Sequence, residues 1–174
     1  GLGLIDARGL VVASATSPVA SRADLSDRDY FQVHSTNAGA GLFIGRPVIA
    51  RPQNVVSLPV SRRAVLPGGS FAGVVAARID PRIFDTFFEA AGVDVIAVVR
   101  PDGIILARYP SIDLVTTPSQ SQTEVLIRAQ TEPRGIATLR STVDGIDRLV
   151  AFQVIPNPKL VVAVAFASNG ITLA

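Results

Sequence analysis

At an offset of ninety-four residues the chain repeats itself. Leu2-Gly-Leu-Ile-Asp-Ala-Arg-Gly9-Leu-Val-Val-Ala13 lies over Ile96-Ala-Val-Val-Arg-Pro-Asp-Gly103-Ile-Ile-Leu-Ala107. Each stretch is an apolar run, a polar turn ending in Gly, and a second apolar run, the pattern of a β-hairpin whose turn Gly takes a positive φ. The match continues through Ser26-Asp-Arg-Asp29-Tyr-Phe31 and Ser121-Gln-Thr-Glu124-Val-Leu126, read as capping boxes that open short helices. Val55 to Val60 then lies over Leu149 to Val154, and Phe71 to Ala77 over Leu160 to Phe166. A repeat of this kind constrains the fold before any single element does. It predicts two copies of hairpin, helix, strand, strand.

Between the copies, Asp80 is placed as a helix N-cap and Pro81 as the first helical residue. Ile83, Phe84, Phe87, Phe88 and Ala91 recur at helical spacing before Gly92. An amphipathic connecting helix is therefore expected. The expected class is α+β, with one module over 1–80 and the connecting helix plus a second module over 81–174. After Phe166-Ala-Ser168-Asn-Gly170 the same strand-to-helix junction recurs, so the chain reads as a piece of a longer one that continues into another helix.

Composition narrows the function. With 48% hydrophobic residues in 174, the chain can bury a sizeable core. The 16 basic residues are scattered and the net charge is only +2, which disfavours a phosphate-tracking surface for nucleic acid. Zero cysteines exclude a disulfide framework and a thiol nucleophile, and are compatible with periplasm and cytosol alike. The longest apolar run, Leu160 to Ala167, is too short to span a bilayer.

Residues that carry a specific function are expected where one copy is polar and the other apolar. Tyr30 and His34 lie four apart on one helical face, whereas their counterparts are Val125 and Ala129. Ser61, Arg62 and Arg63, followed by a loop ending in Pro67-Gly68-Gly69, have no polar counterpart near Ile155-Pro-Asn-Pro158. A guanidinium fork matches a carboxylate or phosphate, and a phenol and an imidazole can complete a pocket for a small anionic or zwitterionic molecule. The candidate ligand-binding residues are Tyr30, His34, Ser61, Arg62 and Arg63, with Arg46, Arg51 and Asp27 at the rim. Strand alternation sends Arg62 and Arg63 to opposite faces, so one of them is a solvated or structural arginine. Tyr30 and Phe31 also fit as core anchors, and Asp27 and Asp29 as helix-terminus acids.

Catalytic signatures are not found. A single histidine rules out a multi-His metal site, and no Gly-x-Ser-x-Gly, Walker or dinucleotide-binding motif occurs. Pro67-Gly-Gly-Ser-Phe-Ala-Gly73 leads into a strand, as a turn does, where a phosphate loop leads into a helix. No cofactor and no metal is expected.

Asp27-Arg-Asp-Tyr-Phe31 with His34, Ile44-Gly45-x-Pro47, Ser61-Arg62-Arg63, Gly69-Ser-Phe-Ala-Gly-Val-Val75, Ile79-Asp80-Pro81 and the Arg-x-Asp-Gly stretch up to Pro110 together resemble the periplasmic double-Cache sensors of bacterial histidine kinases and diguanylate cyclases. That resemblance implies two tandem PAS-like modules, each a central antiparallel sheet with flanking helices, with the ligand in the membrane-distal one. It also implies transmembrane anchors, a receptor homodimer and a periplasmic location. The family's long N-terminal helix has no counterpart here. The alternative left open is a ligand-independent structural or dimerisation module of the same fold.

Overall fold

The computed structural model describes residues 1–51 and 53–168. The chain divides into two compact units, Gly1–Asp80 and Pro81–Ala174. Each is built on an antiparallel sheet with few helices.

The first unit opens with the expected hairpin, β1 (Leu2–Asp6) and β2 (Val11–Ser14), followed by α1 (Asp29–Thr36). Two short strands follow, β3 (Phe43–Ile44) and β4 (Val48–Ala50), then the long pair β5 (Val55–Val65) and β6 (Phe71–Ile79). The sheet order is β2-β1-β6-β5-β3, with β4 also on β5. Pro59 lies inside β5, where a missing donor would ordinarily break a sheet. Its carbonyl accepts from Gly45 N at 2.9 Å, so its nitrogen faces the same edge, at the gap between β3, paired at residues 60–61, and β4, paired at 55–57. No ladder bond is lost there.

One face of this sheet carries Ile5, Val74 and Ala76 against Tyr30 and Phe31 of α1, forming the core with Leu25 and Val48. Ser61 and Arg63, directly opposite Ala76 and Val74, share that face, and Arg62 opposite Val75 points away. The arginines therefore belong to the strand and not to the loop that follows it.

The second unit begins with a 3-10 turn (Pro81–Phe84) and α2 (Asp85–Glu89). The amphipathic helix expected here is corrected in two ways: it is interrupted, and Ile83 and Phe87 are exposed, at 59% and 72%. Phe84 and Phe88 instead stack on each other with centroids 5.7 Å apart. Strands β7 (Val95–Val99), β8 (Ile105–Tyr109), β9 (Arg134–Arg140), β10 (Asp147–Pro156) and β11 (Lys159–Ala167) form a sheet in the order β8-β7-β11-β10-β9, with α3 (Glu124–Arg128) between β8 and β9. Val125, Leu126 and Ala129 pack with Val150, Phe152, Val161 and Ala165 in its core.

The repeat is visible in detail. A register irregularity falls between Leu4 and Ile5 in one hairpin and between Val98 and Val99 in the other. Leu25 N bonds the carbonyl of Gly9, and Gln120 N that of Gly103, both at 2.8 Å. Gly9 and Gly103 hold φ of 92° and 85°, and a Cβ on either would collide with the backbone of Ser26 or Ser121. The serines expected to cap helices thus form the seat of the hairpin turn. The N-cap residues are Arg28 and Thr123, and neither makes a side-chain capping bond. The final strand-to-helix junction at Asn169 and Gly170 lies outside the described residues. Among the described residues no helix is long and apolar enough to cross a membrane.

Candidate ligand site

A cavity of about 570 Å³ opens in the first unit, between the inner face of the sheet, the segment from Thr16 to Leu25, the start of α1 and β4. Its walls are largely aliphatic: Leu2, Ile5, Val11, Val19, Leu25 and Val48 among them. Three guanidinium groups line it, those of Arg28, Arg51 and Arg78, together with Tyr30, Gln53 and Ser57.

Each polar group is placed by its element. Inner-face alternation on β6 runs Val74, Ala76, Arg78, so the third position brings a charge to the end of an apolar row, where Arg78 Nη1 donates to Gln53 Oε1 at 2.5 Å. Arg28, immediately before α1, donates from Nη2 to the Ile49 carbonyl at 3.2 Å, and its buried Nε has no hydrogen-bond acceptor. Arg51 grips Asp27 with two hydrogen bonds of 3.3 and 3.2 Å at the exposed rim. Ser57, 4% exposed on β5, has an unpartnered hydroxyl. Burial pushes the Tyr30 phenol up from its ordinary value, so it is neutral and able to donate.

Among the expected site residues, the structure brings Tyr30 and Arg51 into the cavity wall, with Asp27 behind Arg51. It does not bring His34, Ser61, Arg62, Arg63 or Arg46 there. His34 is fully buried on the inner side of α1, with Nε2 2.9 Å from Ser61 Oγ. That hydroxyl donates to the Tyr30 carbonyl at 3.2 Å, so its one proton is used and Nε2–H of His34 is the donor. Arg63 donates to the His34 carbonyl and lies over the Phe71 ring at 4.6 Å. Arg62 is exposed on the opposite face. Arg46 binds Asp29 through its backbone N–H at 3.0 Å. His34, Ser61 and Arg63 tie α1 to β5, whereas Arg62 is a solvated residue of the outer face.

Arg28, Arg78 and Ser57 were not singled out from sequence. The available signal was weak: a charge at the third inner position of β6, legible only once the inner face is known.

No protein-family model and no curated protein sequence matches the chain. Among solved structures, it superposes on the extracellular domain of a protein assigned as a histidine kinase, rpHK1S-Z16, with a TM-score of 0.84 and 29% identity over 98% of this chain and 73% of that one. It is also similar to the ligand-binding domain of the Pseudomonas fluorescens chemoreceptor CtaA in complex with L-serine (TM-score 0.67, 18% identity, 97% of this chain and 72% of that one). A third is the ligand-binding domain of the Pseudomonas aeruginosa PAO1 amino acid chemoreceptor PctB in complex with L-Arg (TM-score 0.67, 18% identity, 99% and 74%). The class is thereby set: the chain has the mostly antiparallel, PAS-like fold of extracellular sensor domains. Its neighbours are the extracellular domain of a histidine kinase and the ligand-binding domains of chemoreceptors, as a periplasmic Cache sensor requires, and they support an extracytoplasmic sensing role.

Proposed function

We propose that the chain is the periplasmic sensing region of a membrane-tethered, homodimeric receptor whose output is a histidine kinase or a diguanylate cyclase. It is read as two tandem PAS-like modules, 1–80 membrane-distal and ligand-holding, 81–174 membrane-proximal. The ligand is a small molecule carrying a carboxylate. The observation that carries this reading is the cavity in the first unit, large enough for a small metabolite, with apolar walls and three guanidinium groups.

No Asp or Glu lines that cavity among the described residues. An anion is favoured over an amine for that reason. A zwitterionic amino acid, as bound by the neighbours CtaA and PctB, would have to place its ammonium on backbone carbonyls or near Asp27. A ligand that prefers one arrangement of the Arg28 and Arg51 segments over another would shift the population of that arrangement, which is the physical content of sensing.

The test is a thermal-shift screen of the protein against small carboxylates and amino acids. A ligand of the folded state at a hundred times its dissociation constant adds about 2.7 kcal/mol. Stabilisation by a carboxylate that Arg78→Ala removes supports the reading. A flat screen, or a hit indifferent to Arg78→Ala and Arg28→Ala, moves the protein to the ligand-independent structural module.

A further inference from the structure

The second unit carries a pocket at the place equivalent to the first-unit cavity. Sheet pairing makes the equivalence explicit. Gly3 faces Ser14 and Ala97 faces Arg108 at the same step of the two hairpins. On the other side, β1 Ile5 faces Val74 and β7 Val99 faces Val161; these partners face Arg63 and Val154. Counting back six residues on each strand sets Ser57 against Arg148. Ser14 and Ser57 of the first cavity are thus replaced by Arg108 and Arg148, and both arginines line a pocket of about 110 Å³.

These arginines are buried, 8% and 7% exposed. One carboxylate serves both: Asp144 accepts from Arg148 Nη1 at 2.5 Å and Nη2 at 2.9 Å, and from Arg108 Nη2 at 3.2 Å. Arg108 Nη1 is satisfied by the Pro110 carbonyl at 2.7 Å. Arg148 Nε is buried and has no hydrogen-bond acceptor. Two positive charges face one negative charge, in surroundings where an uncompensated charge is costly. The space beside them exceeds several times what one water needs, and its far walls are Val95, Val99, Leu126 and Val161.

We propose that this pocket is a second anion site, for a small aliphatic monocarboxylate whose oxygens take the free Arg148 Nε–H and whose short chain lies on the valines. Asp144, on the turn between β9 and β10, supplies one of the two negative charges the arginine pair calls for, and the ligand supplies the other. The site is independent of the ligand reading for the first unit.

Acetate is the probe. The ¹⁵N-labelled protein is titrated with sodium acetate against sodium chloride at matched ionic strength, following the Arg148 Nε–H and the amides of Asp144, Gly145 and Ile146. A saturable, acetate-specific shift is expected, weakened at least about tenfold by Ala163→Leu, which fills the pocket and leaves both guanidinium groups in place. Arg148→Lys, which keeps the charge and removes Nε–H, gives the same loss. Shifts that chloride reproduces, that never saturate, or that survive both variants overturn the site. Because these resonances lie in the second unit, acetate bound only in the first-unit cavity leaves them unmoved and counts against this proposal alone.

Discussion

His34 Nε2 meets Ser61 Oγ at 2.9 Å inside the first unit, and the equivalent partners in the second unit are Ala129 and Phe152. A large polar residue on the helix with a small one on the strand has been exchanged for a small apolar residue with a large one. The two cores fill the same space with opposite distributions of volume.

Burial, reinforced by the charge of Arg63 and opposed by the bond to Ser61, holds the His34 imidazole below its ordinary value. A folded value below the unfolded one means the stability is fully present above about pH 6.5 and is lost as pH falls through the folded value. Melting temperature is therefore expected to drop on acidification below about pH 6.5. His34→Gln is expected to flatten that slope, and since His34 is the sole histidine, an unchanged slope in the variant refutes the assignment.

Ser61→Ala leaves the His34 Nε2–H and the Tyr30 carbonyl without this partner. A cost of about 1–3 kcal/mol in urea unfolding is expected. Arg62→Ala, on the outer face of the same strand, is expected to stay within about 0.5 kcal/mol of the parent and to leave ligand binding untouched.

Gly9→Ala and Gly103→Ala force a side chain into the left-handed region and into the backbone of Ser26 or Ser121. Gly68 also has positive φ, 104°, but faces open space. Gly68→Ala is expected to cost about 1–2 kcal/mol, and each of the other two clearly more. Equal losses at all three positions would show that the hairpin turn does not seat on the pre-helix loop.

Asp144→Asn strips the counter-charge from Arg108 and Arg148. Hydrogen bonds from Arg148 hold the Asp144 carboxyl well below the usual carboxylate range. Its stabilisation is thus present above about pH 4 and lost only as pH falls further. The variant is expected to lose about 3 kcal/mol near neutral pH, read by chemical denaturation in a Tyr30→Phe background, where Tyr109 is the sole tyrosine and reports its own unit. A near-neutral effect would mean that water already screens the pair.

Local signals carried the sequence a long way. The hairpins at Gly9 and Gly103 and the presence of a short helix after each were legible, because turn chemistry and helical spacing are written in neighbouring residues; the helix starts at Asp29 and Glu124, three residues past the expected Ser caps, were not. The register in which β5 corresponds to β10 was not legible either. Sequence similarity lays Val60 over Val154, whereas the sheet makes Arg63 the equivalent of Val154, each opposite the matching valine of the next strand. An apolar strand looks much the same when slid along itself, but a slip of odd length exchanges its faces. Ser61 does lie on the inner face; what no local stretch showed is that its part of the strand runs under α1, with the cavity further along at Ser57 and Pro59.

By itself, the sequence determined the repeat and the mostly antiparallel class, because these follow from short-range pattern, and its motifs carried the resemblance to extracytoplasmic sensors. Only the tertiary structure decided which arginines meet. Arg28, Arg51 and Arg78 come from separate segments, as do Arg108 and Arg148. Their convergence is a property of strand register and sheet order, which no local stretch of chain encodes.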